Sequence, residues 1–308
     1  ISTDFEDLDI TNIDNVRDFV KGKEISYIIN CAAYNNVDKA EEEKEFCYKL
    51  NTEAPKNLAV VAKEIGAIFV TYSTDFVFGG EKKSPYTEED KKNPLCTYAE
   101  SKSLGEDEVL KVYDKVYVIR TSWVFGMGNN NFNKQVINWS KTRDELNIVD
   151  DQVSSPTYSW DLAEYSWDLV KSNQFGLYQL SNDGECSKYD QAKYVLESIG
   201  WQGKLGRAKT EDFNLPAKRA NYSKISSEKA EKIIGRKMPS WQSGIDRFLI
   251  ELKNDCYAQE IQDYCVKNGV WIRPFGKLIY SIVAYTIAEN DLRKIVKTMI
   301  DAIKSIEK

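Results

Sequence analysis

The chain has 308 residues, enough for a full hydrophobic core and, as a prior from length, two domains. A net charge of −6 without a Lys/Arg stripe argues against a nucleic-acid partner, and the lack of histidine excludes Ser-His-Asp and Cys-His catalysis and zinc sites that need imidazole. No run reaches the roughly 18 apolar residues of a membrane span, so we expect no membrane partner. The six cysteines form no Cys-x-x-Cys pair, so we expect no metal and a reduced cytoplasmic setting.

Strands and helices alternate through the first half of the chain. Ser26 to Asn30 predicts a buried strand, and Thr52 to Lys63 predicts a helix with a proline in its first turn. Ala67 to Tyr72 predicts the next strand, Tyr98 to Val112 a helix, and Val116 to Thr121 a third strand. This order is typical of a parallel sheet with helical crossovers, in which ligands bind beyond the carboxyl ends of the strands.

A tyrosine and a lysine one helical turn apart, Tyr98 and Lys102, open one of these helices, and Thr74 stands at the end of the preceding strand. A tyrosine can donate a proton near neutral pH only if a neighbouring cation stabilises its anion. We therefore expect Lys102 to lower the pKa of Tyr98 from about 10 toward 7, which takes roughly 4 kcal/mol. The pattern predicts a hydride-transfer site built without histidine.

The spacing alone is not specific, because Tyr189 and Lys193 repeat it after a short loop, where an exposed helical turn is the simpler interpretation. For Tyr98 and Lys102 the alternative is an ordinary amphipathic helix, and for Thr74 it is a polar strand end or a helix cap. We interpret the acidic stretch from Glu41 to Glu45 as solvated helix surface.

A glycine-rich turn that would bind a dinucleotide pyrophosphate is not found near the start of the chain, since no glycine precedes Gly22. Either the first strand, turn and helix of such a fold precede Ile1, with any targeting signal, or the protein does not bind a dinucleotide in the usual way. The residue that would distinguish NADPH from NADH would lie in the same segment.

Several ordered motifs carry a family resemblance. They are Asn30-Cys-Ala-Ala-Tyr-Asn-Asn-Val-Asp-Lys-Ala-Glu41, Tyr72-Ser-Thr-Asp-Phe-Val-Phe-Gly-Gly80, Pro94-Leu-Cys-Thr-Tyr-Ala-Glu-Ser-Lys-Ser-Leu-Gly-Glu106, Arg120-Thr-Ser-Trp-Val-Phe-Gly126 and Asp151-Gln-Val-Ser-Ser-Pro-Thr157. From about Phe5 to Leu252 the chain resembles the dTDP-4-dehydrorhamnose reductases, extended short-chain dehydrogenases/reductases that make dTDP-L-rhamnose. Ser154 departs from a glycine that is common in this family.

The resemblance implies a catalytic triad of Thr74, Tyr98 and Lys102. It implies that the cofactor, NADPH or NADH, contacts Asp9, Ile10, Ala32, Ala33, Tyr34, Tyr98 and Lys102. It implies that the dTDP-sugar substrate contacts Val37, Asp75, Phe76 and Trp123. The fold class implied is α/β, a Rossmann-like doubly wound parallel sheet that lacks its first βα unit, with a smaller α/β substrate lobe.

We expect three parts: a dinucleotide-binding domain at 1–149, a substrate-binding lobe at 150–255 and an appended α/β tail at 256–308. The tail resembles the C-terminal end of adenosylmethionine-8-amino-7-oxononanoate aminotransferases. In that family Arg273 would correspond to the arginine that receives a substrate carboxylate. Because about 50 residues cannot form that enzyme, we interpret Arg273 as a surface or packing residue. A helical stripe in the tail should pack against the reductase body or a second copy, and a homodimer is one assembly open to the chain. The stripe comprises Leu292, Ile295, Val296, Met299, Ile300, Ile303 and Ile306, after a Thr286-x-x-Glu289 capping pattern.

Three functions remain open from the sequence. The first is NAD(P)H-dependent reduction of the C4 keto group of dTDP-6-deoxy-L-lyxo-4-hexulose, impaired in this chain by the lack of a glycine-rich turn. The second is a non-catalytic sugar-nucleotide or regulatory binding protein of the same fold. The third is a non-functional chimera of the two resembling pieces.

Overall fold

The computed structural model describes residues 1–128, 131–268, 270, 273–275, 278–280, 293–299 and 301. It divides into two compact units, Ile1–Gly244 and Ile245–Lys308, which are treated separately below. Within the described ranges no helix is both long and apolar enough to cross a membrane.

The helices are α1 (Ile13–Val20), α2 (Lys44–Tyr48), α3 (Ala54–Ile65), α4 (Thr97–Val112), α5 (Phe132–Ser140), α6 (Ser159–Lys171), α7 (Lys188–Ser198), α8 (Glu228–Ile234) and α9 (Trp241–Lys267). The strands are β1 (Tyr27–Asn30), β2 (Ile68–Thr74), β3 (Val116–Thr121), β4 (Val124–Phe125), β5 (Glu145–Val149), β6 (Val153–Ser154), β7 (Thr157–Tyr158), β8 (Gly176–Gln179), β9 (Cys186–Ser187), β10 (Lys204–Ala208), β11 (Arg273–Phe275) and β12 (Leu278–Tyr280).

A four-stranded parallel sheet in the order β1-β2-β3-β8 organises the first unit. β3 has the bounds predicted from sequence, and β1 begins one residue later than predicted. β2 runs two residues beyond the predicted end, because Ser73 and Thr74 pair with Arg120 and Thr121 of β3. The parallel α/β class is confirmed, and the extension of β2 places Thr74 inside the ladder.

Hydrophobic clusters lie on both faces of the sheet, but Tyr27 and Ile29 of β1 are 41% and 50% exposed, so the prediction of a buried strand there was wrong. One cluster joins Phe69 and Val118 of the sheet to Leu58 of α3 and Val109 of α4. The other joins Tyr117, Ile119 and their neighbours to Leu169 of α6 and Ala230 of α8. Successive residues of β3 therefore point into different cores, which explains why this strand reads as continuously apolar.

The helix that carries Tyr98 and Lys102 is fixed at its start by a distant carboxylate. Glu41 accepts hydrogen bonds from the Thr97 backbone N–H at 2.7 Å and from the Thr97 hydroxyl at 2.9 Å. Glu41 is thus a cap for α4, and the interpretation of this glutamate as solvated surface was wrong. A Cβ on Gly105 would lie 2.2 Å from the Asn51 carbonyl oxygen, so glycine allows α4 to approach the π-helical turn Lys49–Glu53.

Smaller paired strands follow the third strand of the sheet. β5 pairs in parallel with β10, β4 with β7, and β6 pairs antiparallel with β9. β8, from the range predicted as a substrate lobe, joins the central sheet. The boundaries at 149 and 255 stay a prediction.

The second unit contains most of α9, the antiparallel hairpin of β11 and β12, and helical residues 293–299. In that helix Thr298 is buried and Val296 is 47% exposed, so the packing of the stripe against the reductase body or a second copy stays a prediction. Ile295 and Met299 are half-buried. The other predicted members of the stripe, Leu292, Ile300, Ile303 and Ile306, and the cap from Thr286 to Glu289, lie outside the described residues.

Candidate functional site

Thr74 occupies the carboxyl end of β2 and begins a 3₁₀ turn at Asp75–Val77. Its hydroxyl oxygen accepts from the Phe76 N–H at 3.1 Å, and its hydroxyl lies 3.2 Å from an Asp75 carboxylate oxygen. Thr74 is also near enough to Tyr98 to lower the pKa of its hydroxyl, against the larger effect of burial. The capping interpretation of Thr74 is confirmed by its bond to the Phe76 N–H, and its catalytic role stays a prediction.

Tyr98 lies in the first turn of α4, half-buried, and its ring meets Phe76 edge-on at a centroid distance of 5.8 Å. It also packs on a small cluster formed by Tyr34, Ala40 and Cys47, in the region that follows β1. The two segments that follow β1 and β2 thus hold the phenol between them. This meeting of separate strand ends is what the parallel sheet predicted.

Lys102, one turn further along α4, is only 6% exposed, and its ammonium donates to the Tyr72 carbonyl oxygen at 2.6 Å. Burial lowers the pKa of Lys102 to about 8, against the opposing charges of Glu106 and Cys47. The ammonium is still mostly protonated at pH 7. It is therefore a buried cation held at the edge of β2 by a main-chain acceptor.

The prediction that Lys102 pulls the pKa of Tyr98 toward 7 was wrong for this structure. Desolvation raises the pKa of Tyr98 well above its usual value, the nearby Thr74 hydroxyl lowers it, and the Asp75 charge raises it again. The physical reason is that the Lys102 ammonium is itself desolvated and donates to Tyr72. Tyr98 is accordingly a neutral phenol at pH 7, the form that carries a proton to donate.

The predicted dinucleotide contacts at the end of β1 line one large cavity of about 950 Å³, shared by Asp9, Ile10, Ala32 and Ala33. The other predicted cofactor contacts, Tyr34, Tyr98 and Lys102, do not line it, and the Tyr34 hydroxyl donates to Glu43 at 2.7 Å. Three other hydrogen bonds shape the loop that follows β1. The Ala32 N–H donates to the Asn30 side chain at 3.0 Å, and the Tyr34 backbone exchanges bonds with the Asn51 amide at 2.9 Å in both directions.

Asp75 is buried and is surrounded by hydroxyl groups from distant segments. Ser154 donates to it at 3.0 Å, and Ser223 donates to the same carboxylate oxygen. Burial raises the pKa of Asp75 to about 6, while these hydroxyls and the Lys188 charge lower it. Sequence reasoning missed Ser223 and Lys188, and noted Ser154 only as a departure from glycine; a glycine there could not make this bond.

Trp123 follows β3 in a left-handed backbone conformation with φ of 43°, and the Lys188 ammonium lies 3.5 Å from its ring centroid. Val37 is half-buried in the loop after β1, beside Asp38. Asp38 accepts two hydrogen bonds from Arg219, at 3.0 and 2.6 Å, and so ties that loop to a segment 181 residues away. Across the described part of the chain no cluster of His, Cys, Asp or Glu could hold a metal ion.

A doubly wound parallel sheet with a threonine, a tyrosine and a lysine near its carboxyl edge is typical of a Rossmann-like α/β protein. The sequence profile of the RmlD substrate binding domain matches residues 1–254. The chain belongs to that family, and the resemblance read from the motifs is confirmed for the same range.

Among its relatives, dTDP-4-dehydrorhamnose reductase of Escherichia coli K12 is 35% identical over 255 residues, covering 79% of this chain and 85% of that protein. The spore coat polysaccharide biosynthesis protein SpsK of Bacillus subtilis is 35% identical and covers 74% of this chain and 80% of its own length. A crystal structure of a dTDP-4-dehydrorhamnose reductase from Clostridium acetobutylicum is 39% identical, with a TM-score of 0.80 over 82% of this chain and 90% of that one. The Bacillus anthracis reductase in complex with NADP is 37% identical, with a TM-score of 0.78 over 81% of this chain and 89% of that one.

Proposed function

We propose that the chain reduces the C4 keto group of dTDP-6-deoxy-L-lyxo-4-hexulose to the alcohol of dTDP-L-rhamnose, with NADPH or NADH as cofactor. The observation that carries the proposal is the placement of Tyr98 beside Thr74 and against Phe76 at the carboxyl edge of the sheet, with Lys102 one turn away. The names of the relatives, which this chain matches over more than two thirds of its length, support the same reaction.

The residues present fit a nicotinamide dinucleotide. Asp9, Ile10, Ala32 and Ala33 line a cavity of about 950 Å³ along β1 that would take part of it, while Tyr98 and Lys102 lie outside that lining. Tyr98 and Lys102 would hold the nicotinamide ribose, and Tyr34 would contribute its backbone, since its hydroxyl is occupied by Glu43. When bound, the cofactor supplies a hydride to the C4 carbon.

The protein's own part in the reaction is proton transfer. Tyr98 is neutral at pH 7, since desolvation raises its pKa, and it would pass its proton to the C4 oxygen as negative charge develops there. Thr74 would hydrogen-bond the same oxygen, and Lys102 would stabilise the tyrosinate left behind. Each unit by which the site lowers the tyrosine pKa during the reaction is worth about 1.4 kcal/mol.

We propose that Val37, Asp75, Phe76 and Trp123 contact the sugar nucleotide. The Phe76 ring meets Tyr98 edge-on, so a sugar whose C4 oxygen meets Tyr98 would lie beside it, while Asp75 follows Thr74 directly and would be reached past its Ser154 and Ser223 partners. The Arg219 bridge to Asp38 supports the role of Val37, because it fixes the loop that carries Val37. Trp123 begins the segment after β3, at the same edge of the sheet.

The decisive experiment is turnover of the 4-keto dTDP-sugar, followed by loss of NADPH or NADH absorbance. Tyr98→Phe should lower kcat by about 10²- to 10⁴-fold, the usual contribution of a positioned acid. Tyr189→Phe is the matched control, since Tyr189 opens the second Tyr-x-x-x-Lys pair and should leave kcat unchanged. Tight dTDP-sugar binding without turnover would favour the binding-protein alternative and overturn the proposal.

The proposal also covers the cellular setting and the partners of the chain. Free cysteines, among them Cys31 and Cys47, support a reducing cytoplasmic setting. The net charge of −6 supports the lack of nucleic-acid binding, and light scattering will test the homodimer.

A further inference from the structure

Trp123 has an unusual backbone. It lies between β3 and β4 with φ of 43°, a left-handed conformation that L side chains adopt rarely and bulky ones most rarely. Such conformations persist only where the surrounding contacts determine them, and they concentrate at functional sites. The side chains that pack around Trp123 must therefore hold this conformation in place.

A lysine from a distant element provides such a contact. Lys188 is the first residue of α7, and its ammonium lies 3.5 Å from the Trp123 ring centroid and 4.6 Å from that of Phe132. Distances this short are typical of a cation–π interaction, and tryptophan is the best ring for it. In the ranges that the structure describes, Lys188 forms no salt bridge with a carboxylate, so the two rings are its close partners.

The position of Lys188 is costly for a cation in two ways. It stands in the first turn of a helix, where the helix dipole disfavours positive charge, and it is half-buried. Burial lowers the pKa of Lys188 to about 7; the charges of Cys186 and Asp75 raise it and that of Arg219 lowers it. A packing role alone would be served by an uncharged side chain without these costs.

We propose that Lys188 is a positioning residue of the sugar-nucleotide site, whose ammonium holds the Trp123 indole in the strained conformation in which it contacts the sugar nucleotide. The inference rests on the proposed function, in which Trp123 is a substrate contact. It assigns the function of Lys188 to its charge, so substrate affinity should follow the protonation of this side chain. Chemistry at Tyr98 should be little affected.

The test compares Lys188→Met, which keeps the length but removes the charge, with Lys188→Arg, which keeps a charge that can stack on indole. Calorimetry measures the dissociation constant of dTDP-L-rhamnose, and steady-state kinetics measure kcat and KM. Lys188→Met should weaken binding and raise KM about tenfold, the effect of a desolvated cation–π contact, with kcat within about twofold. Lys193→Met, on the exposed face of the same helix, is the matched control and should change neither.

The pH profile separates a charge effect from a structural one. Between pH 6 and 9 the wild-type dissociation constant should rise about tenfold relative to that of Lys188→Arg, because the lysine loses its proton and the guanidinium does not. Asp75, Cys186 and Arg219 are present in both proteins, so their titration cancels in the ratio. A constant ratio, or equal affinity of Lys188→Met and wild type, would overturn the inference. Binding that follows this pattern without any turnover would instead refute the proposed reaction.

Discussion

Glu106 and Arg120 form a buried ion pair between α4, which carries Tyr98 and Lys102, and β3. Arg120 is 2% exposed and Glu106 3%, and two hydrogen bonds of 2.9 and 2.8 Å join them. The guanidinium also lies over the Phe78 ring at 5.1 Å. The pair therefore fixes α4 against the sheet, and we expect its removal to perturb both stability and the proposed site.

Glu106→Gln leaves the Arg120 cation buried without a counter-charge. Breaking a buried pair in this way costs about 3–5 kcal/mol, a large part of a typical unfolding free energy of about 5–15 kcal/mol. With a urea m-value of about 2–3 kcal/mol/M, the midpoint of unfolding should fall by about 1–2 M. The Glu106 charge also raises the pKa of Lys102, so its loss should move the alkaline limb of the rate profile below pH 8.

Urea unfolding followed by circular dichroism measures the first effect, and kcat/KM against pH measures the second. Glu108→Gln is the matched control, because Glu108 lies on the same helix but pairs with Lys56 at the surface, where removal of a charge has little effect. A double-mutant cycle with Arg120→Met isolates the pairwise term. A loss below about 1 kcal/mol for Glu106→Gln would refute the assignment of this pair as a buried tether.

The other predictions concern three side chains around the site. Asp75→Asn should become more stable than wild type as pH rises from 4 to 7, by up to about 3 kcal/mol. The reason is that the wild-type carboxyl, whose pKa is raised to about 6, must ionise in a buried position. Parallel urea titrations at several pH values measure the difference, and equal pH dependence of the two proteins would contradict it. In Lys102→Met the rate should lose the fall above about pH 8 that wild type shows as its ammonium deprotonates, along with most of kcat; a retained alkaline limb would point to another group. Asn51→Ala should cost about 1–3 kcal/mol by leaving the Tyr34 backbone unpaired, and should raise the dissociation constant of NADPH more than that of the dTDP-sugar; calorimetry with each ligand separates the two.

Local patterns sufficed for much of the central sheet. The apolar run from Val116 to Thr121 predicted β3 with its observed bounds, and Pro55 marked the first turn of α3. These features depend on neighbours in the chain, so periodicity and propensity reveal them. The end of β2 was missed by two residues, because Ser73 and Thr74 are held by pairing with β3 and by no local signal.

The cap of α4 also could not be predicted from neighbouring residues. Cys96 precedes the helix and provides no side-chain cap, and the carboxylate that does so, Glu41, comes from 56 residues earlier in the chain. A bond between residues so far apart along the chain leaves no local pattern in the sequence. The same holds for the hydroxyls of Ser154 and Ser223, which reach Asp75 from 79 and 148 residues away.

By itself the sequence determined the fold class and the family, because strand order, helical spacing and the motifs are properties of neighbouring residues; it also predicted Thr74, Tyr98 and Lys102 as the triad. Only the tertiary structure decided the protonation and the contacts of these side chains. In the folded protein Tyr98 is desolvated, the Lys102 ammonium donates to the Tyr72 carbonyl oxygen, and the Lys188 ammonium lies over the Trp123 ring. The pKa of a buried group and the contact partner of a buried cation depend on every segment packed around them, which spacing along the chain does not contain.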